Sequence, residues 1–463
     1  MYKSMYLLLF TLFLLMSGCA TFDGARTREA DRNAFMAGLE ERTAQELEKD
    51  TPLDLERCIG IALENNLAVK SADLDARLAK LNRDIAFANF LPTVTFEYTS
   101  TELNRAPASS IIAGMSTTMQ DRIIRETTVQ AQMPIFAPAT WFLYAAHKRG
   151  EEMGAIAADY TRQMIVLQVT GLYYQCLATQ ETRITLESQR AAAETLVKEV
   201  EAYHREGMVT DADLAQVRLL LLARETALES NTRAKERNLA DLLTAMGISP
   251  TAEPVLEASH PLTAPEGELA DWILEALLNN PRLAIADRQV AIEREKVRIT
   301  IADFLPMLAG FAARSHTSNS FMTYPYTSAL GFTGLMTLFN GFKNINEYKA
   351  ARVEQEQAFL SREQESLAVM LEVVKAHSTL EEARSTLRLA DAAVDAEAKM
   401  LAERTSKMRE GLLRPSEMLD TVAKHDAAQV NAANARYQEQ VMTAIARNVL
   451  GTTWMERKDE DHE

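Results

Sequence analysis

Between Ala139 and Glu206 the chain runs for 68 residues with almost nothing that would stop a helix. At 1.5 Å per residue such a helix reaches roughly 100 Å, a length no compact domain needs. The run ends at Arg205-Glu206-Gly207-Met208-Val209. Before it, Ala193, Leu196, Val200 and Tyr203 are spaced three, four and three apart, which is a coiled-coil seam. Gly207 suits a helix end because glycine enters the left-handed region without a Cβ clash. Thr210 or Asp211 can then cap a return helix that carries Leu214, Val217 and Leu221 on one face and stops at Gly247 and Pro250. The local fold is therefore a long antiparallel helical hairpin.

The hairpin occurs twice. A shift of 204 carries Leu167 to Leu371, Arg205-Glu206-Gly207 to Arg409-Glu410-Gly411, and Gly247 to Gly451. Upstream, a shift of 214 carries Leu55 to Leu269, Asn65-Asn66 to Asn279-Asn280, and Phe90-Leu91-Pro92 to Phe304-Leu305-Pro306. The second copy is thus shorter, by a smaller loop around Phe321 to Tyr326. A linker of residues 249–268, with four prolines, separates the halves. The predicted organisation is a first repeat over 53–248 turning at 207, and a second over 269–451 turning at 411. Residues 452–463 form a charged tail.

Inside each repeat the period changes from helical to alternating. Val94, Phe96 and Tyr98 alternate with threonine and glutamate, and Val129, Ala131, Met133 and Ile135 alternate with Thr128, Gln130 and Gln132. These predict strands at about 93–101 and 127–136, joined by a polar Ser/Thr-rich stretch from Asn104 to Asp121. The second repeat predicts strands at about 307–315 and 327–338, with Leu330, Phe332, Met336 and Leu338 on one face. Apolar-out, polar-in alternation is the pattern of outer-membrane strands. A water-facing antiparallel sheet reads the same way. Four strands cannot close a barrel, and open edges are not tolerated in hydrocarbon, so a membrane role requires several chains to share one barrel.

The N-terminus bears on location. Lys3 precedes an apolar run from Met5 to Met16, followed by Ser17-Gly18-Cys19. The order Leu15-Met16-Ser17-Gly18-Cys19 resembles a bacterial lipobox. That resemblance implies a signal peptide over 1–18, a covalent lipid on Cys19, and a polar tether with some helix over 19–52. Cys58 and Cys176 are expected to be small core residues, and no pairing between them follows from sequence.

A net charge of −16 without basic clusters argues against nucleic acid as a partner. The seven His show no metal-ligand spacing, no glycine-rich phosphate loop opens a helix, and the 20 Met are scattered, which fits helix packing. No cofactor is expected, and no metal site or catalytic set stands out.

Taken together, the Ala-Leu-x-Asn-Asn starts, the Phe-Leu-Pro junctions, Phe339-Asn340-Gly341 and the two Arg-Glu-Gly turns resemble the TolC-like outer-membrane efflux family. The resemblance spans Leu53 to Gly451. It implies a mainly α fold with a membrane β part: a homotrimer with a shared twelve-stranded barrel, continued by a helical tunnel across the periplasm. The partners it implies are outer-membrane lipid, a periplasmic adaptor and, through the adaptor, an inner-membrane pump. It places Arg205, Gly207, Met208, Val209, Asp213, Arg409, Gly411, Leu412 and Leu413 at adaptor-facing tips. It assigns Glu417 and Asp420 to acidic rings that narrow the entrance, and Asp213 to an inter-helix latch. Met408 and Leu413 stand where that latch has a tyrosine and an arginine, so its details do not carry over. The competing reading is a lipid-anchored periplasmic coiled-coil scaffold without a pore. The exported substrate is not legible.

Overall fold

A computed structural model describes residues 24–47, 52–112, 115–257, 261–410, 412–413 and 415–451. It is mainly helical, and its elements repeat. Helix α1 (Gly24–Leu47) comes first. Helices α2 (Leu55–Asn65) and α3 (Leu67–Ala88) lead to strands β1 (Thr93–Glu102), β2 (Ala108–Ile112), β3 (Met115–Thr118) and β4 (Ile123–Phe136). A hairpin of α4 (Pro138–Arg205) and α5 (Asp211–Ala245) completes the first half. The second half runs α6 (Leu269–Asn279), α7 (Pro281–Ala302), β5 (Met307–Thr317), β6 (Tyr326–Leu335), α8 (Lys343–Arg409) and α9 (Pro415–Leu450). The long helices match at 68 and 67 residues, and their return partners at 35 and 36. Among the described residues no helix is long and apolar enough to cross a membrane.

The chain forms two compact units. One comprises the chain up to Asn66 with Gln168–Pro261 and Ala390–Tyr437; it holds both hairpin turns. The other comprises Leu67–Leu167, Leu262–Leu389 and the chain from Gln438; it holds the strands.

The duplicated Asn-Asn pairs have a structural cause. In the first unit the Asn66 side-chain amide donates to the Ala245 carbonyl at 2.7 Å, satisfying one of the acceptors that the last turn of α5 leaves open. Gly247 follows at φ +75°, and a Cβ there would lie 2.5 Å from the Asn65 carbonyl oxygen. In the second unit Asn280 donates in the same way to Val449, at 3.2 Å, and Gly451 at φ +78° presses on the Asn279 carbonyl. Each repeat thus pins its return helix to its own start by one amide and one glycine contact. Asn280 also caps α7 by accepting from the Arg282 N–H at 3.0 Å. Around it, Trp272, Ala276, Leu283, Val369, Val373, Leu380, Ala446 and Leu450 form one buried cluster.

The main sheet has four antiparallel strands in the order β1-β4-β5-β6. Three local expectations need correction. The stretch from Asn104 to Asp121, read only as a polar connection between two strands, contains β2 and β3 as a separate two-stranded hairpin. Its threonine, serine and isoleucine content favours extended backbone, and local antiparallel pairing needs no wider core. Strand β4 begins at Ile123 rather than 127, because backbone pairing to β1 continues past the point where alternation fails, with Ile123 opposite Glu102. Strand β6 ends at Leu335 rather than 338: Leu335 faces Met307, the first residue of β5, so Met336 to Leu338 have no partner on that strand. Upstream, most of the expected tether is α1, whose C-terminal end is tied down where Glu46 accepts from Asn65 at 3.0 Å and Thr43 from the Ser249 N–H at 2.9 Å.

Candidate functional site

Register sorts the strand side chains onto two faces. Phe96 lies opposite Val129, Val129 opposite Arg314 and Arg314 opposite Ser328; the next row is Val94, Ala131, Ala312 and Leu330. One face therefore collects Val94, Phe96, Tyr98, Val129, Met133, Leu330 and Phe332. Its exposure is high, 70% for Phe96, 78% for Phe332 and 87% for Leu330. The opposite face collects Thr93, Thr95, Glu97, Thr99, Glu126, Thr128, Gln130, Gln132 and Thr327. A water-facing sheet buries its apolar side against a core; here that side is bare. A bare apolar face backed by a polar one fits lipid on one side and water on the other. β1 and β6 end the sheet, each with an edge that lipid would leave unsatisfied.

Further site residues lie at the hairpin turns. Gly207 sits at φ +72°, its N–H donating to His204 at 3.0 Å while Met208 donates to Tyr203 at 2.9 Å, the paired bonds of a glycine-terminated helix. Leu412 donates to Lys407 at 2.9 Å in the same position of the second turn. Gly411 itself and Cys19 lie outside the described residues. Arg205 and Arg409 are exposed, Val209 and Leu413 half-buried. Met208 and Leu412, equivalent in the repeats, are 68% and 72% exposed, so each turn presents one apolar side chain to solvent.

Asp213 is engaged locally. Its carboxylate accepts from the Thr210 N–H at 3.1 Å and hydroxyl at 2.7 Å, while Thr210 caps α5. Where the resemblance has polar latch residues, Met408 joins a buried cluster with Leu196, Val197, Val200, Leu214, Val217 and Met418, and Leu413 packs against it. All four long helices contribute, so hydrophobic burial joins the two turns. Glu417 lies in the first turn of α9. Asp420 is exposed and accepts from Lys424 at 2.7 Å, which raises the lysine's pKa and partly neutralises the acid.

Sequence reasoning missed a buried polar group nearby. Arg224 on α5 lies 2.8 Å from Asp426 on α9, with side chains 18% and 7% exposed. The contacted carboxylate oxygen has no aligned hydrogen bond, so the attraction is Coulombic. Gln189 on α4 donates to the Asp426 carbonyl at 3.2 Å, and His425 lies 3.7 Å away. Burial pushes the Asp426 carboxyl above its ordinary range, while Arg224 and His425 pull it back. A cavity of about 380 Å³ adjoins the group, lined by Gln189, Met408, Met418 and Asp426 among others. One signal was available: Leu214, Val217, Leu221 and Arg224 continue a single three-four-three seam, which puts a charge in an apolar stripe.

Cys58 and Cys176 are both buried and free, their thiols pushed up to about 12 chiefly by burial. Among the described residues no cluster could hold a metal ion.

Duplicated long hairpins with a two-faced, open-edged sheet are the architecture of a membrane channel protein. The chain belongs to the family described as outer membrane efflux protein, whose profile matches residues 58–248 and 272–452, the two halves of the duplication. It is 21% identical over 405 residues to the alkaline protease secretion protein AprF of Pseudomonas aeruginosa, covering 84% of this chain and 82% of that one. Its fold matches the outer membrane protein VceC of Vibrio cholerae with a TM-score of 0.74, at 15% identity, over 86% of this chain and 96% of that one. The CmeC outer membrane channel of Campylobacter jejuni matches with a TM-score of 0.75, at 15% identity, over 88% of each chain. The protein is therefore a bacterial outer-membrane efflux or secretion channel that extends into the periplasm, which decides against a poreless scaffold. Members of this family form trimers and work in tripartite systems.

Proposed function

We propose that three copies of this chain close one twelve-stranded barrel and serve as the passive outlet of a tripartite efflux or type I secretion assembly. The observation that carries this is the open four-stranded sheet with one apolar and one polar face. Pairing β6 of one copy with β1 of the next removes every edge and leaves the polar face around a water-filled lumen. On this reading the turns around Gly207 and Gly411 meet a periplasmic adaptor, coupled in turn to an inner-membrane pump. The solvent-facing Met208 and Leu412 suit them to that contact. Glu417 and Asp420 contribute the acidic rings of the entrance, and Cys19 carries a lipid that anchors the mature N-terminus in the outer membrane. The alkaline protease secretion relative favours a polypeptide cargo.

The purified mature protein is expected to be a detergent-dependent trimer that conducts ions in a planar bilayer; a soluble monomer without conductance would refute the proposal. Single cysteines at Ser109 and Met322 should react with impermeant maleimide on intact cells. Mass spectrometry of the N-terminus reads the lipid on Cys19 directly. A deletion strain whose culture medium loses a protein, with drug and metal tolerance unchanged, supports polypeptide cargo, and the reverse pattern overturns it.

A further inference from the structure

The charges on the sheet are segregated by face. Arg125, Arg314 and His316 share the apolar face, whereas Glu97 and Glu126 lie on the polar one. The one acid on the apolar side of the strands, Glu102, is paired with Arg122 at 2.7 Å. All three basic side chains, two of them the arginines, sit toward the ends of β4 and β5 that lead into the loops, away from the helix junctions. A lumen would hold cations as readily as acids, so their collection on the lipid side needs its own cause.

Arg314 shows how they are held. It lies in the row of Phe96 and Val129, and its guanidinium reaches over the Tyr326 ring at 5.9 Å. Tyr326 stands opposite His316, one same-face row nearer the loops. The arginine thus lays its stem on apolar surface and lifts its charge toward the membrane boundary. The His316 ring also meets Tyr326, with ring centroids 4.5 Å apart. Tyr98 occupies the same row, so two tyrosines stand one same-face row from Arg314, where a headgroup layer would lie. Among the described residues no carboxylate pairs with Arg314, which remains exposed.

We propose that Arg314, with His316 and Tyr326, forms an outward-facing subsite for a phosphate of the outer-leaflet glycolipid, one per protomer. The planar guanidinium suits a phosphate, and the tyrosine ring holds it at the right depth. The proposal rests on the barrel reading above.

The test uses the full-length trimer in detergent, native mass spectrometry, and a bis-phosphorylated hexa-acyl glycolipid as probe. Up to three copies should stay bound through detergent exchange, and the dephosphorylated lipid should not. Arg314→Gln should weaken retention roughly five-fold, the scale of one cation at an anionic surface. Arg314→Lys, which keeps the charge, should recover most of it and guards against a folding artefact in the glutamine variant. Equal retention of phosphorylated and dephosphorylated lipid overturns the proposal, as does retention unchanged in Arg314→Gln, or displacement by inorganic phosphate at equal concentration. Conductance and trimer mass are read on the same samples. A conducting trimer indifferent to these changes removes the subsite alone, whereas a non-conducting monomer removes the barrel.

Discussion

Replacing Arg224 with methionine probes what joins the two hairpins near their turns. The substitution keeps the side chain's bulk but leaves Asp426, at 7% exposure, without its countercharge. Breaking one side of a buried ion pair costs about 3–5 kcal/mol. The carboxylate can escape by taking a proton, at about 1.4 kcal/mol per pH unit above its ordinary value of 3.8, or about 4 kcal/mol at pH 7. The two routes agree, so a loss of about 3–4 kcal/mol is expected at pH 7, and only about 1.5 kcal/mol at pH 5. The sign follows from the direction of the shift. An acid whose folded pKa is raised contributes stability that is present below the ordinary carboxylate range and lost as pH rises through the raised value. Removing Arg224 raises that value further, so the variant's deficit grows with pH. The assay is hydrogen exchange on the detergent-solubilised trimer, with protection corrected for intrinsic rates, followed in α5 and α9 around the pair. Protection at pH 7 should fall by roughly 100-fold or more, at about 1.4 kcal/mol per tenfold. Replacing Arg224 by methionine and Asp426 by leucine together should restore most of it, because a packed apolar pair carries no desolvation cost. A deficit equal at pH 5 and pH 7, or a double variant no better than the single, would refute the reasoning.

Two glycines with similar dihedral angles should respond differently to alanine. Gly207 has open space around it, so Gly207→Ala costs only the left-handed strain of about 1–2 kcal/mol; Gly247→Ala adds a 2.5 Å approach to a backbone oxygen that cannot move aside, and should abolish folded trimer on size exclusion. Replacing Glu97 and Glu126 with glutamine removes both acids from the polar face of the strands, and should shift the reversal potential in a salt gradient toward zero if that face lines the pore. Replacing Glu417 and Asp420 with alanine should raise conductance at low pH and weaken block by divalent cations, whereas unchanged block would mean these acids do not line the entrance. Cys58 and Cys176, buried and with thiols at about 12, should resist maleimide in the native trimer at pH 7 and react fully once denatured.

The architecture was legible in the chain because it rests on periodicity. The breaker-free run to Gly207, the repeated shifts and the alternation around Phe96 and Val129 each encode an element type through local backbone physics, and duplication multiplied the signal. Element ends were less legible: β4 starts and β6 stops where a partner strand allows, as Met307 opposite Leu335 shows, and alternation carries no information about the partner. The reason for Asn66 and Gly247 was also hidden, since 179 residues separate that asparagine from the carbonyl it caps.

What the sequence determined by itself was therefore the repeat, the helix and strand types, and the apolar and polar sides of each strand, all properties of neighbours a few residues apart. Tertiary structure alone decided which sides align into one face, that Met408 packs into an apolar cluster where the resemblance has a latch, and that Arg224 meets Asp426. The last two join residues some two hundred positions apart, and their energy depends on burial, which exists only once the helices have packed.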